Sequence, residues 1–289
     1  VLEVVDTYLQ VLAARGKSAQ TIKTYRAQLG KFFGWLKQNG EIEDLTGVTS
    51  IDAVEYRDYL QNARQLKPAS VNTALASIEA YCKWLLEEGH ADHNPLARVK
   101  RIEQVVEAPK WLTKSEKYRV IRTVLKGQDK RNIAIILTLL MSGLRASELV
   151  ELKPDDILLG ERKGSIVVRK GKGNKRRVVP IPNDLRQYLG DYLTEHRATG
   201  KWLFDSQRGE QLTYIGVYQL CVAIGKKAGV EGLTPHVLRH TYCHDLVSKG
   251  VGLEMVAKLA GHAKIETTMI YTQPGEEELQ KVVEKLSFT

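Results

Sequence analysis

Apolar residues in the first hundred positions recur every three or four residues, the spacing that lines one face of an α-helix. Ile22, Tyr25, Leu29, Phe32 and Leu36 form one such stripe. They predict a helix from an N-cap at Ser18 to about Asn39, stopped by Gly40. Val71, Leu75, Ile78, Cys82 and Leu85 form a second, closing at Gly89. Ser50 is expected to cap a shorter helix running through Leu60, and a further helix should precede Gly16. Four helices with one apolar face each make a small bundle, and burying those faces accounts for the stripes without any chemistry.

The periodicity stops at Asn94-Pro95 and stays broken from Lys100 to Pro109, as in an exposed linker. It resumes at Thr113-Lys-Ser-Glu116, a capping box in which hydroxyl and carboxylate satisfy the free amides of a helix start. A buried helix is predicted from about Arg131 to Met141, then a turn at Ser142 to Arg145 and a short helix from Ala146 to Leu152. Between residues 157 and 181 the pattern shifts to strands, at Ile157 to Leu159, Ser165 to Arg169 and Arg177 to Ile181. Helices return after Asp184, with Gly229, Gly250 and Gly261 as stops. The fold expected is mainly α with a small antiparallel β-sheet (α+β), divided into residues 1–99, a linker at 100–112 and residues 113–289.

With 43% apolar and 27% charged residues, the chain has the balance of a globular protein, which excludes collagen-like, disordered and disulfide-scaffold classes. Its longest apolar run, Ile133 to Met141, is far shorter than the roughly 20 residues of a membrane span, and no membrane partner is expected. A cytoplasmic location and reduced thiols at Cys82, Cys221 and Cys243 follow as expectations. Residues 1–110 hold 14 basic and 14 acidic side chains. The whole +9 excess therefore lies in residues 111–289, which attracts a polyanion, nucleic acid first, or makes a merely solvated basic surface.

Arg162 to Arg177 contains eight basic residues and no acidic one, around a Gly171-Lys-Gly-Asn174 turn. Such a hairpin can place an ammonium on a phosphate, although lysines also protect sheet edges from pairing. If Pro235 opens a helix, His236 and Arg239 share its first turn, where imidazole and guanidinium suit a phosphate. His236, His240, Cys243 and His244 also have helical spacing for a metal, but no HExxH glutamate and no obvious ligand from a second element accompany them. Tyr271 follows His262 by nine residues, and a tyrosine becomes a nucleophile only where neighbours take its proton or steady its anion.

In chain order, Ser142-Gly-Leu-Arg-Ala-Ser-Glu-Leu149, Gly171-Lys-Gly-Asn-Lys175, His236-Val-Leu-Arg-His240, Ala260-Gly-His262 and Tyr271 resemble the signature boxes of the tyrosine site-specific recombinases, the phage-integrase and Xer-like family. The resemblance covers residues 113–289 by motif. Residues 1–99 resemble the family's helical, SAM-like core-binding domain by length and helix content only. It implies two domains forming a C-shaped clamp on double-stranded DNA with an inverted-repeat core site. Tyr271 would attack the phosphodiester, giving a 3′-phosphotyrosyl link on the way to a Holliday junction. Arg145 and Arg239 would hold the phosphate oxygens, Lys172 would protonate the leaving oxygen with Lys175 as competitor, His236 would take the tyrosine's proton and His262 would donate to the phosphate.

By the same resemblance Glu148 orients the cations, His240 serves structure, and Tyr242 ranks below Tyr271 because it lacks the Gly-His box upstream. No cofactor and no metal are expected. A homotetramer on two DNA sites, joined through exchange of a C-terminal helix in the tail 274–289, completes the picture. Ser142 and Ala260 replace the family's usual threonine and leucine, leaving the charged positions intact. A topoisomerase of type IB, which shares the chemistry, and a non-catalytic DNA-binding regulator are the alternatives.

Overall fold

The computed structural model describes residues 2–40, 48–104, 109–169, 176–195, 201–206, 209–272 and 283–284. Contacts divide the chain into two compact units, Val1–Val106 and Glu107–Thr289.

The first unit is built from α1 (Leu2–Ala14), α2 (Ala19–Gly40), α3 (Ser50–Asp58) and α4 (Pro68–Glu87). The predicted stripes face inward: Leu29, Phe32 and Leu36 of α2 meet Val71, Leu75, Ile78 and Cys82 of α4 in one core. Aromatic rings fill much of it, Tyr8 lying 5.2 Å from both Tyr81 and Trp84 and Phe32 4.8 Å from Tyr56. Two local expectations change. Thr49, not Ser50, caps α3, because Thr49 has the extended backbone a cap needs and exchanges bonds with Asp52. Beyond Asp58 the chain widens into a π-helical turn, Tyr59–Ala63, which keeps Leu60 in the core.

Residues 100–112, expected as a linker, are anchored where they are described. The Asn72 amide donates to the Ile102 carbonyl and its oxygen accepts from the Ile102 amide, while the Leu112 amide donates to Thr241.

In the second unit α5 (Lys114–Lys126) starts at the Thr113–Glu116 capping box, as predicted. α6 (Lys130–Ser142), capped by Asp129, is the central helix; from Ile133 to Leu140 every side chain is buried. Gly143 ends it in the left-handed conformation, and α7 (Ala146–Leu149) follows, shorter than expected. Strands β1 (Ile157–Leu159), β2 (Gly164–Val168) and β3 (Arg177–Ile181) form an antiparallel sheet in that order, pairing Ile157 with Ile166 and Val168 with Arg177. The hairpin tip with Lys172 and Lys175 lies outside the described residues, as does the tail 274–289 apart from residues 283–284. α8 (Asn183–Glu195), α9 (Tyr214–Ala228), α10 (Pro235–Ser248), α11 (Leu253–Ala260) and α12 (Glu266–Met269) complete the unit, and a 3₁₀ turn, Ile270–Thr272, carries Tyr271. All three cysteines are free and buried. Among the described residues, no helix is long and apolar enough to cross a membrane.

Candidate active site

The site is assembled at the carbonyl end of α11. Gly261, at φ 70°, closes this helix, and its last carbonyls lack partners within the helix. Arg177 Nε donates to the Leu259 carbonyl at 3.2 Å, Arg239 Nη2 to that of Ala260 at 2.7 Å, and Arg145 Nη2 to that of Gly261 at 2.8 Å. Three guanidiniums thus sit on three successive carbonyls. The negative end of the helix favours them there and offsets part of their mutual repulsion. The next residue is His262.

Each arginine arrives by a different local device. Thr234 caps α10 and Pro235 occupies its first turn, which puts His236 and Arg239 on the opening turns as predicted. Arg239 is 4% exposed and also donates to the Gly143 carbonyl at 2.5 Å. Burial, then repulsion from Arg145, lowers its pKa to about 10, which leaves it charged at neutral pH. Arg145 is the N-cap of α7, with its amide and Nη1 both bound to Glu148, at 2.8 and 2.9 Å. Burial pushes the Glu148 carboxyl up, but hydrogen bonds and charge from Arg177 and Arg145 outweigh it and hold the pKa below the usual carboxylate value.

His262 Nδ1 shares a 2.8 Å hydrogen bond with Thr268, which fixes the ring. Burial and then the positive field of Arg239 and Arg145 lower its pKa to about 4. Tyr271 is 4% exposed, its ring parallel to that of His262 with centroids 6.4 Å apart. Its hydroxyl is 2.6 Å from His240 Nδ1, and Cys243 packs in the same cluster. Burial, reinforced by Cys243, keeps the phenol well above its ordinary pKa, with Arg239 opposing. His240 is held down to about 4 by burial and by neighbouring His236 and Arg239, so the imidazole is neutral.

Of the six positions singled out in the sequence, the structure gathers Arg145, Arg239, His262 and Tyr271 around the end of α11, with His236 on the first turn of α10, its ring 6.4 Å from that of His240. Lys172 lies outside the described residues. His240, expected to serve structure alone, is bonded to the Tyr271 hydroxyl, because one helical turn after His236 it meets the 3₁₀ turn. Arg177 is in sequence only one of the basic hairpin residues; in the structure the Glu148 carboxylate lies between it and Arg145. The histidine and cysteine spacing on α10 does not converge on a metal. His244 stacks on Trp111 with centroids 4.3 Å apart, and among the described residues no three potential ligands cluster.

The chain as a whole has counterparts among known proteins. The family model described as "Phage integrase family" matches residues 110–278, and that of the "Phage integrase, N-terminal SAM-like domain" matches residues 5–89. The chain belongs to the phage integrase family and is a tyrosine recombinase, a site-specific DNA-recombining enzyme that cleaves and rejoins strands. It is 34% identical to the tyrosine recombinase XerA of Pyrococcus furiosus, over 98% of this chain and 93% of that protein. It is 26% identical to the TnP I resolvase of Bacillus thuringiensis, over 99% of this chain and all of that protein. Its fold is similar to that of the XerH site-specific recombinase bound to a palindromic difH substrate, with a TM-score of 0.78 at 23% identity, covering 95% and 81% of the two chains.

Proposed function

We propose that Tyr271 is the nucleophile of this recombinase and that Arg145, Arg239, His262, His236 and Lys172 complete its site. The observation that carries the reading is the convergence of Arg145 and Arg239 on adjacent carbonyls immediately before His262, with Tyr271 in the same cluster. A phosphodiester presented to that pair would place its non-bridging oxygens against two guanidiniums and the Nε2 of His262, whose Nδ1 is held by Thr268. Charge that builds on those oxygens at the five-coordinate phosphorus is stabilised most where the donors are already fixed.

The Tyr271 oxygen attacks phosphorus, the bond to the 5′-oxygen breaks, and a 3′-phosphotyrosyl link forms. The phenolic proton passes to an imidazole; the family resemblance gives that role to His236, while His240 Nδ1 lies 2.6 Å from the hydroxyl, and Lys172 protonates the departing 5′-oxygen. Attack by a 5′-hydroxyl of the partner strand reverses the sequence and rejoins the DNA. Because the covalent link retains the energy of the phosphodiester, the cycle needs no nucleotide hydrolysis.

Residues 1–99 serve as a core-binding domain, residues 113–289 carry the chemistry, and both contact a core site of inverted repeats in the cytoplasm. Four copies on two such sites exchange strands through a Holliday junction, with the tail 274–289 of each docked on its neighbour. The spacing of Leu279, Val282, Val283 and Leu286 supports that docking, since in a helix it would place all four on one side.

The chemistry is tested with a nicked duplex carrying a site selected from a random-sequence pool, incubated in EDTA with the wild type or with Tyr271→Phe. A protease-sensitive covalent adduct from the wild type alone is expected; an adduct that survives in Tyr271→Phe would refute the assignment. Deleting residues 276–289 is expected to preserve binding to one site and abolish pairing of two sites. Intact strand exchange by the truncated chain would sink the tail's role.

A further inference from the structure

Arg177 opens β3, and the family resemblance assigns it no part. It is nevertheless 12% exposed and tied to the site by every polar atom of its head. Nη1 and Nη2 donate to Glu148 Oε1 and Oε2 at 2.7 and 2.8 Å, and Nε donates to the Leu259 carbonyl. The same two carboxylate oxygens accept from Arg145, Oε1 from its Nη1 and Oε2 from its backbone amide. Glu148 is 5% exposed, so it has almost no water to replace a lost partner. The Arg177 guanidinium also lies against the backbone of Gly261, where an added Cβ would come within 2.8 Å of it.

A two-pronged arginine–carboxylate pair fixes the plane of the carboxylate as well as its position. Arg145 is hydrogen-bonded to that same carboxylate, so its orientation depends on the plane. We infer that Arg177 is a positioning residue for DNA cleavage. By holding Glu148 in one plane, it sets where the Arg145 guanidinium meets the scissile phosphate. The inference rests on Arg145 acting as a phosphate-holding group. Lysine cannot do the same work, because an ammonium is a point charge without the planar fork.

The test measures adduct formation on the selected nicked duplex, with DNA concentration varied, for the full-length wild type, Arg177→Gln, Arg177→Lys, Glu148→Gln and the double variant Arg177→Gln/Glu148→Gln. Arg177→Gln is expected to slow cleavage at saturating DNA by about 10–100-fold, a loss typical of residues that orient a reacting group, and to change the half-saturating DNA concentration by less than about twofold. Arg177→Lys should recover only part of the rate. In the Glu148→Gln background, Arg177→Gln should add less than about twofold, because the route through Glu148 is already cut. Multiplicative effects of the two substitutions, or a rate for Arg177→Gln within about twofold of wild type, would overturn the inference. Arg177→Lys, which keeps the charge, covers the case in which Arg177→Gln does not fold; its full activity would count equally against the idea. Arg145→Lys is run alongside: wild-type cleavage by that variant would defeat the reading of Arg145 itself, separately from the role of Arg177.

Discussion

The two histidines nearest Tyr271 are neutral in the folded chain because burial opposes their protonation, reinforced by His236 and Arg239 at His240 and by Arg239 and Arg145 at His262. Their pKa values near 4 lie below the ordinary 6.5, so between those limits the unfolded chain binds protons that the folded chain refuses. Stability from this source is complete above about pH 6.5 and is lost as pH falls toward about 4. The thermal midpoint of the DNA-free protein is therefore expected to drop across that interval, and the drop should shrink in His262→Asn. An equal drop in the variant would show that the histidine is not its source. An anion on Arg145 and Arg239 reverses the field, so binding of the selected duplex at pH 5.5 should take up protons. Calorimetry in buffers of different ionisation enthalpy measures that uptake, and a zero difference between buffers would contradict it.

Two joints in the secondary structure carry more than their size suggests. Gly143 ends α6 at φ 62°, its carbonyl receives Arg239, and a Cβ added there would overlap the Tyr242 ring. Left-handed backbone costs a non-glycine residue about 1–2 kcal/mol, and overpacking adds about 1–3 kcal/mol. Gly143→Ala is accordingly expected to destabilise the protein by about 2–5 kcal/mol in urea unfolding and to slow cleavage as Arg239 shifts; a loss below about 1 kcal/mol would mean that the ring yields freely. The start of α3 supplies a smaller, sharper case. Thr49→Ala should cost about 1 kcal/mol as a lost cap, and Ser50→Ala less than about 0.5 kcal/mol, measured the same way. Both hydroxyls stand side by side in sequence, and only the extended backbone at Thr49 decides between them.

For the molecule as a whole, the basic excess of residues 111–289 predicts binding dominated by phosphate contacts. The logarithm of the association constant should fall linearly with that of salt concentration, by about 0.9 for each phosphate neutralised, and a slope near zero in gel retardation would rule out this mode. The helices of both units, the capping box at Thr113, the helix start at Pro235, the three strands and the order of the charged boxes were all legible in the chain. Each depends on neighbours within a few residues, where periodicity, caps and glycine stops act. Other features came only with the tertiary structure. Arg177 and Glu148 are 29 residues apart, His240 and Tyr271 are 31, and Arg145 and the Gly261 carbonyl are 116. A sequence names the charged groups but does not say which carbonyl or carboxylate each will face. That choice is made when α6, α7, β3, α10 and α11 pack, since a buried guanidinium must find a partner and the open carbonyls at the end of α11 are the ones within reach.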